Sequence, residues 1–260
     1  MASAILLFYT SDGFLIAADG RARINGSVSS DMTTKIFHIS EPNRSLAYAF
    51  GGSVALTDKD DSGIILFDFR DEAVQAIRSL KKTWYDDLPT YAKKLAKRLQ
   101  NKLERARRNE RIEPLKEDPT GLVACLLLAG YYAKSPSAVM VEFRHEEQML
   151  LPPRITPLKL DQGYNPLMTY GSEKVRQQVF FAETPEFSAY RVPRVNIEEK
   201  VTLSEVADAA NKYILACSDP AAILIDAEHC AGIGGHIHMA RVTPQRGFEW
   251  IVPPVTASST

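Results

Sequence analysis

The sequence predicts an α+β domain in which blocks of antiparallel strands are followed by blocks of helices. Three observations predict this class. An Asp12-Gly13 pair separates two apolar runs near the start of the chain, helical patterns fill residues 71–111, and an unbroken apolar run spans 122–131. Because strands and helices do not alternate one by one, we expect antiparallel sheets with segregated helices and not parallel β-α-β units.

Composition excludes several classes of protein. The chain has 260 residues with 31 Lys plus Arg and 32 Asp plus Glu, a net charge of -1 that favours neither nucleic acid nor anionic membranes. Three cysteines are too few for a disulfide scaffold and suit a reducing compartment. The longest apolar run, 122–133, is shorter than the roughly 20 residues that span a bilayer, and no signal-peptide pattern opens the chain. We therefore expect a soluble cytoplasmic protein.

The first third of the chain is predicted to be β structure. Residues 5–8 and 14–18 form a hairpin, because Gly13 accepts a positive φ that a tight turn needs. Strands are expected at 35–39 and 46–50, with a turn at 41–44 between them. Asp19 ends the second strand of the hairpin.

The middle of the chain is predicted to be helical. One helix starts at Asp71, where acidic residues suit the positive end of the helix dipole. A second starts near Leu88, and its leucines at 95, 99 and 103 recur every four residues beside a strongly basic face at 93–111.

The last half returns to strands with two further helices. The apolar run 122–131 suits a strand buried on both faces, and 138–143 can pair with it. A helix follows Ser172, and Thr202 with Glu205 forms a capping box for another. Strands are expected at 222–225, 237–242 and 248–252. We expect one domain, 1–260, with 253–260 as a frayed tail.

Segments 13–21, 30–36 and 46–52 together resemble the proteasome β-subunit family, which includes HslV-type peptidases and belongs to the N-terminal-nucleophile hydrolases. The resemblance implies a four-layer αββα sandwich of two antiparallel sheets flanked by helices. It also implies a self-compartmentalised peptidase ring that is a homo-oligomer, peptide or unfolded-protein substrates, an ATP-dependent unfoldase partner and no cofactor.

The resemblance also implies a set of catalytic residues. Ser3, Asp19 and Lys35 follow the family's spacing of sixteen residues between nucleophile, aspartate and lysine. The free α-amine of the nucleophile would act as base, and Lys35, held by Asp19, would lower its pKa. The Gly51 N–H would stabilise the oxyanion, and Ser172 would support the amine.

Two positions depart from the family pattern. Ser3 stands where the family usually has Thr, and Met1 and Ala2 must be removed before Ser3 has a free amine. The aspartate that the family has near its Ser-Gly-Gly turn is absent here, where Cys230 and Ile233 stand, and Asp226 lies nearby but displaced. A threonine- or serine-type endopeptidase is the main hypothesis. The alternatives are an inactive structural subunit and a hydrolase of small amides.

Two other groupings suggest different functions. His229, Cys230, His236 and His238 lie within ten positions and could bind a metal, but their spacing matches no standard zinc motif. The basic face at 93–111 could contact phosphates, although such a face is more often solvated. We therefore expect no metal and no nucleic-acid partner.

Overall fold

The two-residue turn at Ser11 and Asp12 sets the start of the fold, because the strands on either side of it pair from Thr10 with Gly13 back to Ile5 with Ala18. This predicted hairpin is confirmed in the computed structural model of the chain. Gly13 has a φ of +140°, and a Cβ there would lie 2.4 Å from the Val242 carbonyl oxygen. The structure describes residues 3–24, 27–61, 63–81, 83, 85–115, 120–163, 166–181, 185–192 and 201–255.

Fifteen strands are found in this part of the chain. In order they are β1 (Ile5–Thr10), β2 (Gly13–Ala18), β3 (Ala22–Ile24), β4 (Ser27–Ser30), β5 (Ile36–Glu41), β6 (Arg44–Gly52), β7 (Ala55–Thr57), β8 (Ile65–Asp68), β9 (Leu122–Tyr132), β10 (Ser135–Glu146), β11 (Met149–Leu150), β12 (Arg154–Pro157), β13 (Met168–Tyr170), β14 (His238–Thr243) and β15 (Gly247–Val252).

Five α-helices are found among the same residues: α1 (Phe69–Leu80), α2 (Leu88–Ala106), α3 (Glu173–Phe180), α4 (Leu203–Ser218) and α5 (Pro220–Cys230). A short 3-10 helix covers Pro185–Tyr190. The predicted capping box is confirmed, since the Thr202 side chain accepts from the Glu205 N–H and the Glu205 carboxylate accepts from the Thr202 N–H.

Two antiparallel sheets carry most of the strands, so the α+β class is confirmed. One has the order β13-β1-β2-β14-β15, and the other has the order β11-β10-β9-β6-β5 with β12 also paired to β10. The apolar run that was predicted as a buried strand is β9, at the centre of the second sheet, and nearly all its side chains are buried.

Buried apolar side chains form three clusters that follow the alternation of side chains along the strands. Leu6 and Phe8 pack with α3, α4 and α5. Ile5 and Leu7, which point the other way, pack with residues of β6 and β9. The third cluster joins the opposite face of β6 and β9 to α1 and α2.

The strand predicted at 222–225 is wrong, because these residues belong to α5. Asp219 caps this helix and Pro220 opens it, an arrangement suited to a helix start. Four apolar residues in a row fit either a strand or a helix, so the run itself did not distinguish them. Of the predicted tail, residues 256–260 lie outside the described part of the chain. No helix in the described part is long and apolar enough to cross a membrane.

Candidate active site

The open end of the first hairpin brings Ser3 beside Asp19. The Asp19 N–H donates to the Ala4 carbonyl at 3.1 Å, and the Ala4 N–H donates to Asp19 Oδ1 at 2.8 Å. Ser3 is 7% exposed and Asp19 is fully buried. Because the hairpin folds the chain back on itself, Ala4 pairs with Asp19, and Ser3 directly precedes this pair.

The Asp19 carboxylate is held by hydrogen bonds on both oxygens. Oδ1 accepts from Lys35 Nζ at 2.7 Å as well as from Ala4. Oδ2 accepts from the Gly234 N–H at 3.2 Å and the Arg21 N–H at 3.3 Å. A buried carboxylate needs such partners, and these fix its position.

Lys35 connects this carboxylate to the serine. Its Nζ also donates to Ser3 Oγ at 3.1 Å. Burial lowers the pKa of Lys35, and Arg70 and Arg21 lower it further by repulsion, against the opposing effect of Asp19. The structure thus brings together Ser3, Asp19 and Lys35, with the ammonium in contact with both other side chains.

His238 holds the backbone of Lys35. The Lys35 N–H donates to His238 Nε2 at 3.0 Å, across a separation of 203 residues. Burial and the charge of Lys35 lower the pKa of His238 to about 4. The imidazole is therefore neutral at pH 7, as an acceptor at Nε2 must be.

Ser172 follows β13, the strand that pairs with β1. The register of these strands ends at Ile5 with Tyr170, and a Cβ on the next residue, Gly171, would lie 3.3 Å from the Ser3 carbonyl oxygen. The fully buried Ser172 caps α3 by accepting from the Val175 N–H at 3.1 Å and donates to Asp226 Oδ2 at 2.6 Å.

Asp226, which is displaced in sequence from the position of the family's aspartate, is a buried partner of Ser172. The residue leaves helical geometry inside α5, with φ -152° and ψ 69°, which turns its carboxylate towards Ser172. Burial tends to raise the pKa of Asp226, but hydrogen bonds from Ser172 and His229 outweigh this and lower it. Its position depends on this kink, for which the local sequence carries no signal.

Gly51 and Gly52 end β6 beside the cluster. Ser53 N–H donates to the Val123 carbonyl, so the alternation of an antiparallel ladder directs the Gly51 N–H towards β9 and its register partner Cys125. The Gly52 N–H therefore points away from β9, to the side on which β5 pairs with β6. Because β5 begins only at Ile36, this pairing does not extend to Gly52. Gly52 has a φ of +89° and borders the same cavity as Ser3.

A cavity of about 190 Å³ opens beside Ser3. Lys35 and Gly52 line it near the serine, and Phe50, Val54 and Ile65 supply apolar surface. Gly51 is absent from its lining among the residues that the structure describes. Arginines complete the wall, namely Arg21, Arg23 and Arg70.

The histidines considered for a metal have separate partners. His229 Nδ1 contacts Asp226, His236 Nε2 contacts the Pro253 carbonyl, and His238 accepts from Lys35. No group of three or more metal-ligating side chains is arranged around a common point in the described residues.

The basic face that was considered for nucleic acid lies on α2. Leu95, Leu99 and Leu103 are buried, whereas Lys93, Lys97 and other cations on this helix are exposed. Such a pattern is typical of an amphipathic helix with a solvated face.

Comparisons with known proteins point to one group of solved structures. No model of a known protein family matches the chain, and no curated protein matches it. The helical assembly of the Anbu complex from Pseudomonas aeruginosa matches with a TM-score of 0.56 at 10% identity, over 98% of this chain and 87% of that chain.

Two further structures agree with it. Anbu (ancestral beta-subunit) from Yersinia bercovieri matches with a TM-score of 0.53 at 10% identity, over 98% of this chain and 88% of that one. A Gly-1 mutant of Anbu from Hyphomicrobium sp. strain MC1 matches with a TM-score of 0.51 at 14% identity, over 96% and 88%.

The chain has the fold of the Anbu proteins. The prediction that placed the chain with the proteasome β subunits and HslV is therefore wrong, because these neighbours are Anbu proteins, a related but distinct group. Segments 13–21 and 46–52 did not separate the two groups, since the strand and turn they encode belong to the shared fold. At 10–14% identity the likeness to Anbu concerns the fold alone.

Proposed function

We propose that this chain is an Anbu-like subunit that hydrolyses peptide bonds with Ser3 as its nucleophile. The observation that carries the proposal is the contact of Lys35 Nζ with both Ser3 Oγ and the buried Asp19 carboxylate. A serine hydroxyl needs a base, and the α-amine of Ser3, with an ordinary pKa of about 8, is available once Met1 and Ala2 are removed. These two residues lie outside the described part of the chain.

The proposed reaction uses the α-amine of Ser3 first as a base and then as an acid. The amine of Ser3 takes the Oγ proton as Oγ attacks the substrate carbonyl carbon, and the same amine then gives that proton to the departing amine. Water hydrolyses the resulting ester and frees Oγ. Lys35 keeps the amine unprotonated by like-charge repulsion.

The oxyanion formed in that step needs a donor at the end of β6. The family resemblance predicts the Gly51 N–H as this donor. The geometry of the ladder instead favours the Gly52 N–H, which faces away from β9. One such donor contributes about 3 kcal/mol to transition-state stabilisation. We propose that Ser172, at the start of α3 and oriented by Asp226, supports the amine of Ser3.

The architecture and assembly complete the proposal. We propose that the three buried clusters are the interfaces of a four-layer αββα sandwich that spans 1–260 as one domain. A solved neighbour is a helical assembly of the Anbu complex, which supports self-association of this chain. Unfolded-protein substrates and an ATP-dependent unfoldase remain predictions.

Hydrolysis of fluorogenic peptides by the full chain tests the function. We expect Ser3→Ala and Lys35→Ala each to lower kcat/KM by roughly 10³-fold or more, as for other removed nucleophiles and their activators. Ser204→Ala and Lys97→Ala, at exposed positions outside the site, are the matched controls. Equal, measurable rates for Ser3→Ala and the unmodified chain would contradict Ser3 as the nucleophile, and no hydrolysis by the unmodified chain would favour an inactive structural subunit.

A further inference from the structure

The cavity beside Ser3 carries an unusual concentration of positive charge. Four of its lining side chains are cationic, and no Asp or Glu is among the lining residues that the structure describes. Its volume of about 190 Å³ is smaller than the roughly 300–1,000 Å³ of pockets that hold a whole drug-sized ligand. The cavity therefore suits a single side chain with a negative charge.

Three of the four cations already have a carboxylate partner. The pairs are Lys35 with Asp19, Arg21 with Asp31, and Arg70 with Asp68. In the two arginine pairs the carboxylate contacts Nε and an Nη of the guanidinium, so one edge of each fork is in use. These three cations are therefore poorly placed to recognise a new anion.

Arg23 differs from the other three. It forms no ion pair with a carboxylate in the described part of the chain, and only its Nη1 has a hydrogen bond there, to the Ala231 carbonyl at 2.7 Å. Its Nε is buried and has no partner among the described residues. A carboxylate at the Nε and Nη2 edge of this guanidinium would supply the missing partner of Nε in a bidentate pair.

We propose that this cavity receives the side chain of the substrate residue whose carbonyl Ser3 attacks, and that Arg23 selects an acidic side chain there. The inference rests on the proposed function, because it takes Ser3 as the attacking group. The side chain adjacent to the attacked carbonyl must enter the space next to Ser3 Oγ, and Ser3 itself lines this cavity. The apolar wall at Phe50, Val54 and Ile65 contacts the methylene groups of a glutamate.

Two peptide amides that differ only in Glu or Gln before the fluorogenic group test the proposal, since the side chains match in shape and differ in charge. We expect the unmodified chain to prefer Glu in kcat/KM by about tenfold or more, as for a hydrogen bond to a charged group. Arg23→Gln should bring the ratio close to one, and Arg23→Lys should give an intermediate ratio. Arg154→Gln, at an exposed ion pair outside the cavity, should keep the ratio of the unmodified chain.

Binding of the same two peptides by isothermal titration separates this proposal from the proposed function. If the chain hydrolyses both peptides equally, or if Arg23→Gln keeps the preference, the selectivity is overturned while the peptidase stands. If no peptide is hydrolysed but the Glu peptide binds more tightly, the selection of an acidic side chain by the cavity stands and the peptidase function is overturned. Equal binding without hydrolysis overturns both.

Discussion

Lys35 Nζ and Asp19 Oδ1 lie 2.7 Å apart, with the Asp19 side chain fully buried and that of Lys35 only 8% exposed. Removing two charges from water is unfavourable, and only their mutual attraction and further hydrogen bonds offset it. The backbone N–H groups of Ala4 and Gly234 supply those bonds, one on each carboxylate oxygen. The pair also contacts Ser3, so its geometry and the proposed chemistry depend on the same atoms.

Substitution of Asp19 tests the importance of that pair for folding. We expect Asp19→Asn to lower the free energy of unfolding by about 3 kcal/mol, because it leaves the Lys35 ammonium buried without a counter-charge. Asp31→Asn is the control, since the Arg21–Asp31 pair is partly exposed and such pairs stabilise the fold much less than buried ones. Urea denaturation measures both. Equal losses of unfolding free energy in the two variants would contradict the prediction that the buried pair stabilises the fold more than the exposed pair.

A double-mutant cycle tests the contact between Ser172 and Asp226. We expect Ser172→Ala and Asp226→Ala to show a coupling energy of about 1 kcal/mol or more in unfolding, because each removes the partner of a buried polar group. Asp219→Ala, at the start of the same helix, contacts Tyr190 and serves with Ser172→Ala as the control pair. A coupling no larger than that of the control pair would show that the kink at Asp226 does not serve Ser172.

The lowered pKa of His238 predicts how the stability of the fold depends on pH. Its folded pKa of about 4 lies below the ordinary value of 6.5, so the unfolded chain binds a proton in that interval and the folded chain does not. Stability should therefore be complete above pH 6.5 and fall by about 3 kcal/mol as the pH decreases to 4. His238→Gln, whose amide oxygen can still accept from the Lys35 N–H, should remove this part of the pH dependence.

Unfolding by urea at several pH values between 4 and 7.5 measures the effect. The relevant quantity is the difference between His238→Gln and the unmodified chain, because carboxylates elsewhere titrate in both. If the unfolding free energies of the two proteins change in parallel with pH, His238 is not buried as a neutral hydrogen-bond acceptor.

Local features of the sequence predicted much of the fold. The turn before Gly13 and the capping box at Thr202 were identified because neighbouring residues determine them. The sixteen-residue spacing predicted Ser3, Asp19 and Lys35 as catalytic residues, because it matches the spacing in the family that the sequence resembles. That resemblance could not distinguish Anbu from related groups, since the relation is visible in the fold and only 10–14% of residues are identical.

Contacts between distant segments could not be predicted in this way. Asp226 reaches Ser172 through a kink inside α5, and His238 reaches Lys35 across a sequence separation of 203 residues. Arg23, on β3, and Ser3 come to line the same cavity only in the folded domain. Such positions follow from packing over the whole domain and not from the pattern of nearby residues.

Intact mass of the full chain after expression, combined with peptide hydrolysis by the same sample, tests the central claim most directly. The amine-base mechanism requires a free α-amine on Ser3. We predict a species that begins at Ser3 and that hydrolyses peptides. A chain that hydrolyses peptides while it still begins at Met1 or Ala2 would contradict the claim, because Ser3 would then have no free amine to act as its base.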